Sequence, residues 1–368
     1  MANLKYNLST LQEKARERTV KTQSIEYDLE TLVKKIDKGI IKLDPDYQRR
    51  HRWDDKTSSK LIESLILNIP IPTIYISQDV DVDSETEQYR YSVIDGQQRL
   101  TAMYNYLKGK FSLIGLDTLD ELNGCFHQDL PPFLTRRLEE RTVKCLRIDS
   151  TIDAQVKIDI FERLNSGSVK LEPQELRNAV YSGRFNHLCK NLSTNISFRI
   201  LLQINTDQPD SNIRVRKMED VELVLRFFSL IDENYQNYKK TKDKGFIDFL
   251  SENMEIGNNF TDEQLSKFKD EFETTMKTIL RDFGPTAFAK YKYDDGEYKL
   301  QSKFNVAVFD ALATSCHDLI FRDKIIQFKD KDFKSLFSES EFYEAISGSY
   351  LDANKLKFRI EHTKATLK

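Results

Sequence analysis

An α+β fold, with a mixed α/β N-terminal domain followed by an α-helical domain, is what this sequence predicts, and three observations carry the prediction. Short runs rich in β-branched and aromatic residues, TIYIS at 73–77 and RYSVI at 90–94, alternate with helix-spaced apolar stripes up to about Ile148. From about Asp153 onward the pattern is helical. The chain has 368 residues, 39% hydrophobic and 31% charged, with 12 Gly and 8 Pro, a profile of a folded, rather helical protein with room for two domains. The expected organisation is an N-terminal arm at 1–21, a mixed domain at 22–150 and a helical domain at 151–368.

SIEYDLETLVKKIDKG predicts a short strand and then a helix with Leu29, Leu32, Val33 and Ile36 on one face, closed by Lys38 and Gly39. LDPDYQRRHRW is a polar and aromatic connector. TSSKLIESLILN places Leu61, Ile62, Leu65 and Ile66 on one stripe, and Pro70 and Pro72 end it. TIYIS is a strand, Val80 to Glu87 an acidic loop, and RYSVI the next strand. Leu100, Met103, Tyr104 and Leu107 then fall at helical spacing, with Gly109 as the stop. Farther on, DAQVKIDIFERLNSG predicts a helix ending at Asn165, and LEPQELRNAVYSG another, with Pro173 early and Gly183 as its stop. Leu265, Phe268, Phe272, Met276, Ile279, Leu280 and Phe283 keep one face buried over five turns, while MEDVELVLRFFSLID and KFNVAVFDALATSCHDLIF are apolar enough for central helices. No internal repeat or low-complexity tract interrupts the pattern.

No apolar run approaches the roughly 20 residues that cross a bilayer, and the N-terminus lacks a secretion signal, so a cytoplasmic protein with no membrane contact is expected. Cys125, Cys145, Cys189 and Cys316 are scattered without a C-x-x-C pair and read as small buried apolar residues. A formal net charge of −3 argues against a protein that coats nucleic acid indiscriminately. Local clusters still offer phosphate contacts: Lys42, Arg49, Arg50, Arg52, Lys56 and Lys60; Arg136, Arg137, Arg141, Lys144 and Arg147; Lys239, Lys240, Lys242 and Lys244. Arg50, Arg52, Arg136 and Arg137 are the candidate DNA contacts. Solvated helix faces are the plain alternative.

Between RYSVI and the following helix stands Asp95-Gly96-Gln97-Gln98-Arg99. A helix starting near Gln97 presents unpartnered amides and roughly half a positive charge, and Arg99 adds a planar fork suited to phosphate oxygens. Gly96 removes the Cβ that keeps a ligand from the backbone, and the two amides orient a phosphate, a base or a water. Asp95 would repel a phosphate unless a metal ion, a proton or a water lies between them, which points to chemistry on phosphate. In the plain alternative Asp95 caps the helix, Gly96 makes the turn and Arg99 pairs with a neighbouring acid.

DPDYQRRHRW at 44–53, IDGQQRLTAM at 94–103 and IFERLNSGSVKLEPQELRNAVY at 160–181 resemble, in this order, the ParB/sulfiredoxin-like domain of the GmrS/GmrD and SspE type of bacterial anti-phage restriction proteins. RKMEDVELVLRFFSL and FNVAVFDAL look like the helical part of that family, so the similarity runs from about residue 25 to 320. The resemblance implies a domain in which the DGQQR motif binds and hydrolyses a nucleoside triphosphate with Mg²⁺, coupled to recognition or cleavage of phage or modified DNA. Carried over, Asp95 would be the base or metal contact, Gln97 and Gln98 would position water and phosphate, and Arg99 would hold phosphate oxygens. Tyr47, Gln48 and Arg49 would close the nucleotide pocket with Gly96. Tyr47 and Trp53 either stack on a base or belong to the core. Asn165 caps or lines the pocket, and Glu175 and Asn178 share a face that would line it. Many relatives continue into a His-Asn-His nuclease. Here Arg359-Ile360-Glu361-His362 is followed by only six residues, so that nuclease is expected to be missing and His362 to sit in a solvated terminus.

Three activities stay open at this point: a metal-assisted triphosphatase, a sensor of nucleotide or modified DNA that recruits a separate nuclease subunit without hydrolysis, and a DNA nickase working through Asp95. Sulfiredoxin-type redox chemistry is excluded, because no cysteine lies within 25 residues of the motif that replaces its reactive loop. Oligomeric state is open.

Overall fold

Asp28 ends the first strand and starts the first helix. It closes β1 (Thr22–Asp28), and its carboxylate accepts the Thr31 amide at 2.7 Å, capping α1 (Leu29–Asp37). The structure, a computed structural model, describes residues 21–43, 53–82, 89–149, 160, 163, 172–181, 183–241, 244–348 and 351–368. The fold is α+β, and the chain divides into two units, Met1–Leu171 and Glu172–Lys368. The patterning boundary at residue 150 and the helix expected over 153–167 fall largely on residues outside those described.

In the first unit, β2 (Ile41–Lys42), α2 (Asp55–Ile66), β3 (Ile74–Val82), β4 (Tyr89–Asp95), α3 (Gln97–Leu107), α4 (Pro132–Glu139) and β5 (Thr142–Ile148) follow α1. The sheet order is β1-β5-β3-β4-β2, with β1/β5 and β3/β4 antiparallel and β5/β3 and β4/β2 parallel. The acidic stretch expected to begin as loop at Val80 is strand as far as Val82. The patterning also missed β5, which sits between β1 and β3. TVKCLRI alternates buried Val143 and Cys145 with exposed Thr142 and Lys144, and its basic residues masked the alternation. One apolar layer joins Leu29, Leu32, Leu61, Ile62, Leu65, Ile74, Ile76, Val93, Leu100 and Met103. Tyr106 of α3 is fully buried, whereas Tyr104 lies at the edge and donates to Asp37 at 3.0 Å, so the stripe leans one position from the expected one.

The second unit contains α5 (Pro173–Val180), α6 (Arg184–Leu192), α7 (Ile196–Leu201), α8 (Ile213–Arg216), α9 (Glu219–Leu230), α10 (Phe246–Asn258) and α11 (Asp262–Phe283). A hairpin, β6 (Lys290–Asp294) and β7 (Glu297–Ser302), precedes α12 (Val306–Phe321), α13 (Asp330–Ser335), α14 (Ser340–Ala345) and α15 (Ala353–Leu367). Helices α9 and α12 are central, as their apolar sequences predict, and aromatic rings fill the space between helices: Phe227 meets Phe228 and Phe272 at 5.2 Å each. The hairpin was not anticipated, although Asp295-Gly296, both with positive φ, make the turn that this dipeptide favours.

The C-terminal segment also departs from expectation. It is α15, not a solvated tail: Arg359 and Ile360 are fully buried, and His362 stacks on Phe358 and reaches Glu339 at 2.6 Å. Arg359 Nη2 lies 2.7 Å from Asp310 Oδ2, the oxygen that also meets Arg226 Nη2 at 2.6 Å. A carboxylate shared by two guanidinium groups is how three buried charges become tolerable in this core.

Candidate functional site at the start of α3

Asp95 is the last residue of β4, opposite Tyr75 on β3. The chain then turns at Gly96, with φ 98° and ψ 10°, and α3 begins without a side-chain cap. The cap position belongs to Gly96, so Asp95 is not the cap, while the other two parts of the plain alternative, the turn at Gly96 and an ion pair from Arg99 to a neighbouring acid, are present.

Arg99 curls back toward the strand instead of facing outward. Its Nη2 lies 2.6 Å from Asp95 Oδ2, and its Nη1 donates to the Pro72 carbonyl and, at 3.4 Å, to that of Thr73. The Asp95 side chain retains 29% of its exposure and that of Arg99 11%. Gly96 is required twice over. Its φ lies where side chains are rarely tolerated, and an added Cβ would stand 3.0 Å from Ile74 Cγ1 and 3.3 Å from Arg99 Nη2. The room made by the missing Cβ is taken up by Ile74 and the guanidinium.

The two glutamines differ. Gln97 is 4% exposed and shares the inward side of α3 with Leu100. Gln98 Oε1 accepts the Trp53 amide at 3.2 Å, so the start of α3 holds the residue before Asp54. Asp54 in turn caps α2 by accepting the Thr57 amide at 2.7 Å. Two helix starts are thus linked by one amide side chain. With Asp95 balanced by Arg99, the α3 N-terminus keeps its partial positive charge.

The remaining candidates are placed as follows. Tyr47, Gln48, Arg49, Arg50, Arg52 and Asn165 lie outside the described residues. Glu175 and Asn178 are on α5 of the second unit and are buried. Glu175 Oε2 accepts the Glu172 amide at 2.7 Å, while Asn178 accepts from Gln174 at 3.0 Å and places Nδ2 2.8 Å from Met218 Sδ. Arg177 completes this group with Gln174 at 2.8 Å and Glu222. Arg136 and Arg137 are exposed on α4, with the Arg137 guanidinium 6.0 Å from the ring of Phe133, which is 69% exposed. Arg141 instead binds Asn68 and the Ile69 carbonyl, Lys144 is opposite Glu26, and Lys244 pairs with Glu252 at 2.5 Å. Of the cysteines, Cys145, Cys189 and Cys316 are buried, and burial pushes all three thiols up, Cys145 to about 11.

Residues 29–182 match the family described as GmrSD restriction endonuclease, N-terminal domain. This segment is a GmrSD-type N-terminal domain. The GmrSD match takes in α1 through α5 and all three quoted motifs, and it supports a restriction-type defence role. No curated protein matches the chain. Among the described residues no helix is long and apolar enough to cross a membrane.

Proposed function

We propose that this protein is the nucleotide-handling component of a DNA-directed restriction system, and that it binds and hydrolyses a nucleoside triphosphate at the start of α3. The observation that carries the reading is an uncapped helix start, in a GmrSD domain, with one carboxylate held beside it by Arg99. The amides of Gln98 and Arg99 in the first turn receive phosphate oxygens. Arg99 acts at one remove: it anchors Asp95 and offsets the charge that would otherwise repel the polyphosphate. Asp95 Oδ1 fits a Mg²⁺ ion, which commonly takes one carboxylate and completes its shell with phosphate oxygens and water. When bound, the ion supplies charge neutralisation on the phosphates. Gln98 keeps Trp53 beside the mouth, where an indole 37% exposed is available to a base. Arg136 and Arg137, with Arg50 and Arg52 of the connector, are the proposed DNA-backbone contacts.

Phosphate release that needs Mg²⁺ and vanishes in Asp95→Ala, with the fold intact by circular dichroism, is the expected result. Purified protein that binds none of the four common triphosphates sinks the proposal. The close Asp95–Arg99 pair favours one further reading, a nucleotide sensor that recruits a separate nuclease. Tight binding with zero turnover selects it.

A further inference from the structure

His317 of α12 is 1% exposed, and both of its ring nitrogens face carboxylates from different places in the fold. Nδ1 is 3.2 Å from Asp318 Oδ1, and Nε2 is 3.4 Å from Glu271 Oε2 on α11. An ionised carboxylate only accepts, and a neutral imidazole has only one N–H to give. Both contacts are hydrogen bonds only when the ring carries two protons.

The carboxylates are not equally supported. Asp318 also accepts the Asp232 amide at 3.1 Å on Oδ1 and the Lys364 ammonium of α15 at 3.0 Å on Oδ2. Glu271 has Lys267 at 3.6 Å, an exposed side chain one turn away. When the ring loses a proton, the contact to Glu271 is therefore the one that fails. The other charges facing the cluster are Glu233, 3.8 Å from Lys364, and Arg322, which pairs with Glu233 at 2.7 Å and Asp232 at 3.6 Å. Phe227 of α9 and Phe321 cover the ring at 5.5 and 5.0 Å.

We propose that His317 is a proton-operated joint between α11 and α12, closed when the ring is doubly protonated and released at Glu271 when it is neutral. Burial pushes the imidazole down, but the hydrogen bonds and charges of Asp318 and Glu271 outweigh it and hold the group above its ordinary 6.5. A raised folded value means that the stabilisation is complete below about pH 6.5 and is lost as pH rises through the folded value. The carboxylates of Asp232 and Asp318 with His317 also have the spacing of a cation site, their ligand atoms lying within 4.8 Å. The Lys364 ammonium and a doubly protonated ring already supply the positive charge there.

The test is urea unfolding and hydrogen exchange of the full chain over about pH 6 to 9. In the wild type the folded-to-unfolded ratio falls by up to about tenfold per pH unit above 6.5, and exchange rises around Glu271 and His317. In Glu271→Gln the side-chain amide donates to a neutral ring, and the slope drops to less than about half. Equal slopes in the two proteins overturn the proposal. If the variant does not fold, the wild-type imidazole resonance decides, since titration at or below 6.5 overturns the joint. Zn²⁺ added at neutral pH leaves the curve unchanged, whereas tight stabilisation by Zn²⁺ reassigns the cluster as a metal site and equally overturns it.

Discussion

Gly96→Ala isolates the physics of the turn into α3. Alanine at φ 98° takes on a left-handed conformation worth about 1–2 kcal/mol. Its methyl group also stands 3.0 Å from Ile74 Cγ1, and Ile74 is fully buried, so relief requires movement in the sheet at the cost of overpacking, about 1–3 kcal/mol. The sum is about 2–4 kcal/mol after partial relaxation, or a urea midpoint lowered by about 1–2 M at a slope near 2 kcal/mol per M. Trp53 is the chain's single tryptophan and its amide is bonded to Gln98, so its fluorescence reports the unit that contains the change. Gly109→Ala is the control, since φ is +64° there and nothing lies within 4 Å of the added Cβ. It loses about 1 kcal/mol from the backbone alone. Should Gly96→Ala unfold at the same urea concentration as Gly109→Ala, the close approach of Ile74 and Arg99 is not what requires the glycine.

Two further outcomes follow from the charges. Asp310→Asn leaves Arg226 and Arg359 around a neutral amide in a site where all three side chains are nearly or fully buried, and it destabilises the helical unit by about 3–5 kcal/mol in thermal or urea unfolding. A loss below about 1 kcal/mol would show that the carboxylate is not their main counter-charge. Arg136→Ala with Arg137→Ala weakens DNA binding uniformly across sequences, and the slope of log affinity against log salt falls by about 2 for two phosphate contacts. An unchanged slope in a filter-binding or anisotropy titration removes α4 from the DNA surface.

How far the residues speak for themselves varies by element. Strand, tight turn and helix around Asp95 were legible because each signal lies within a few residues: alternation in RYSVI, a glycine at the turn, and three-and-four spacing from Leu100. The buried faces of α9, α11 and α12 were legible for the same reason. β5 was not, because Lys144 and Arg147 give the segment a charged character while the inward Val143 and Cys145 carry the structure. The Asp295-Gly296 turn is equally local, a dipeptide that favours tight hairpins. His317-Asp318 inside an apolar helix was a signal too, a charged pair where the stripe has no room for solvent.

The sequence by itself determined the two-part α+β organisation, the position of the DGQQR turn and, through its family resemblance, the GmrSD assignment of residues 29–182. Only the tertiary structure decided what Arg99 does. Its partners include two backbone carbonyls 26 and 27 positions away, and every residue type carries a carbonyl, so no letter announces them. The same holds for Arg359, which sits in a lysine-rich final segment and meets Asp310 across 49 residues of chain. Periodicity and turn chemistry are local and are written in neighbouring residues. Which charges share a buried site depends on which distant segments meet, and that is settled by packing.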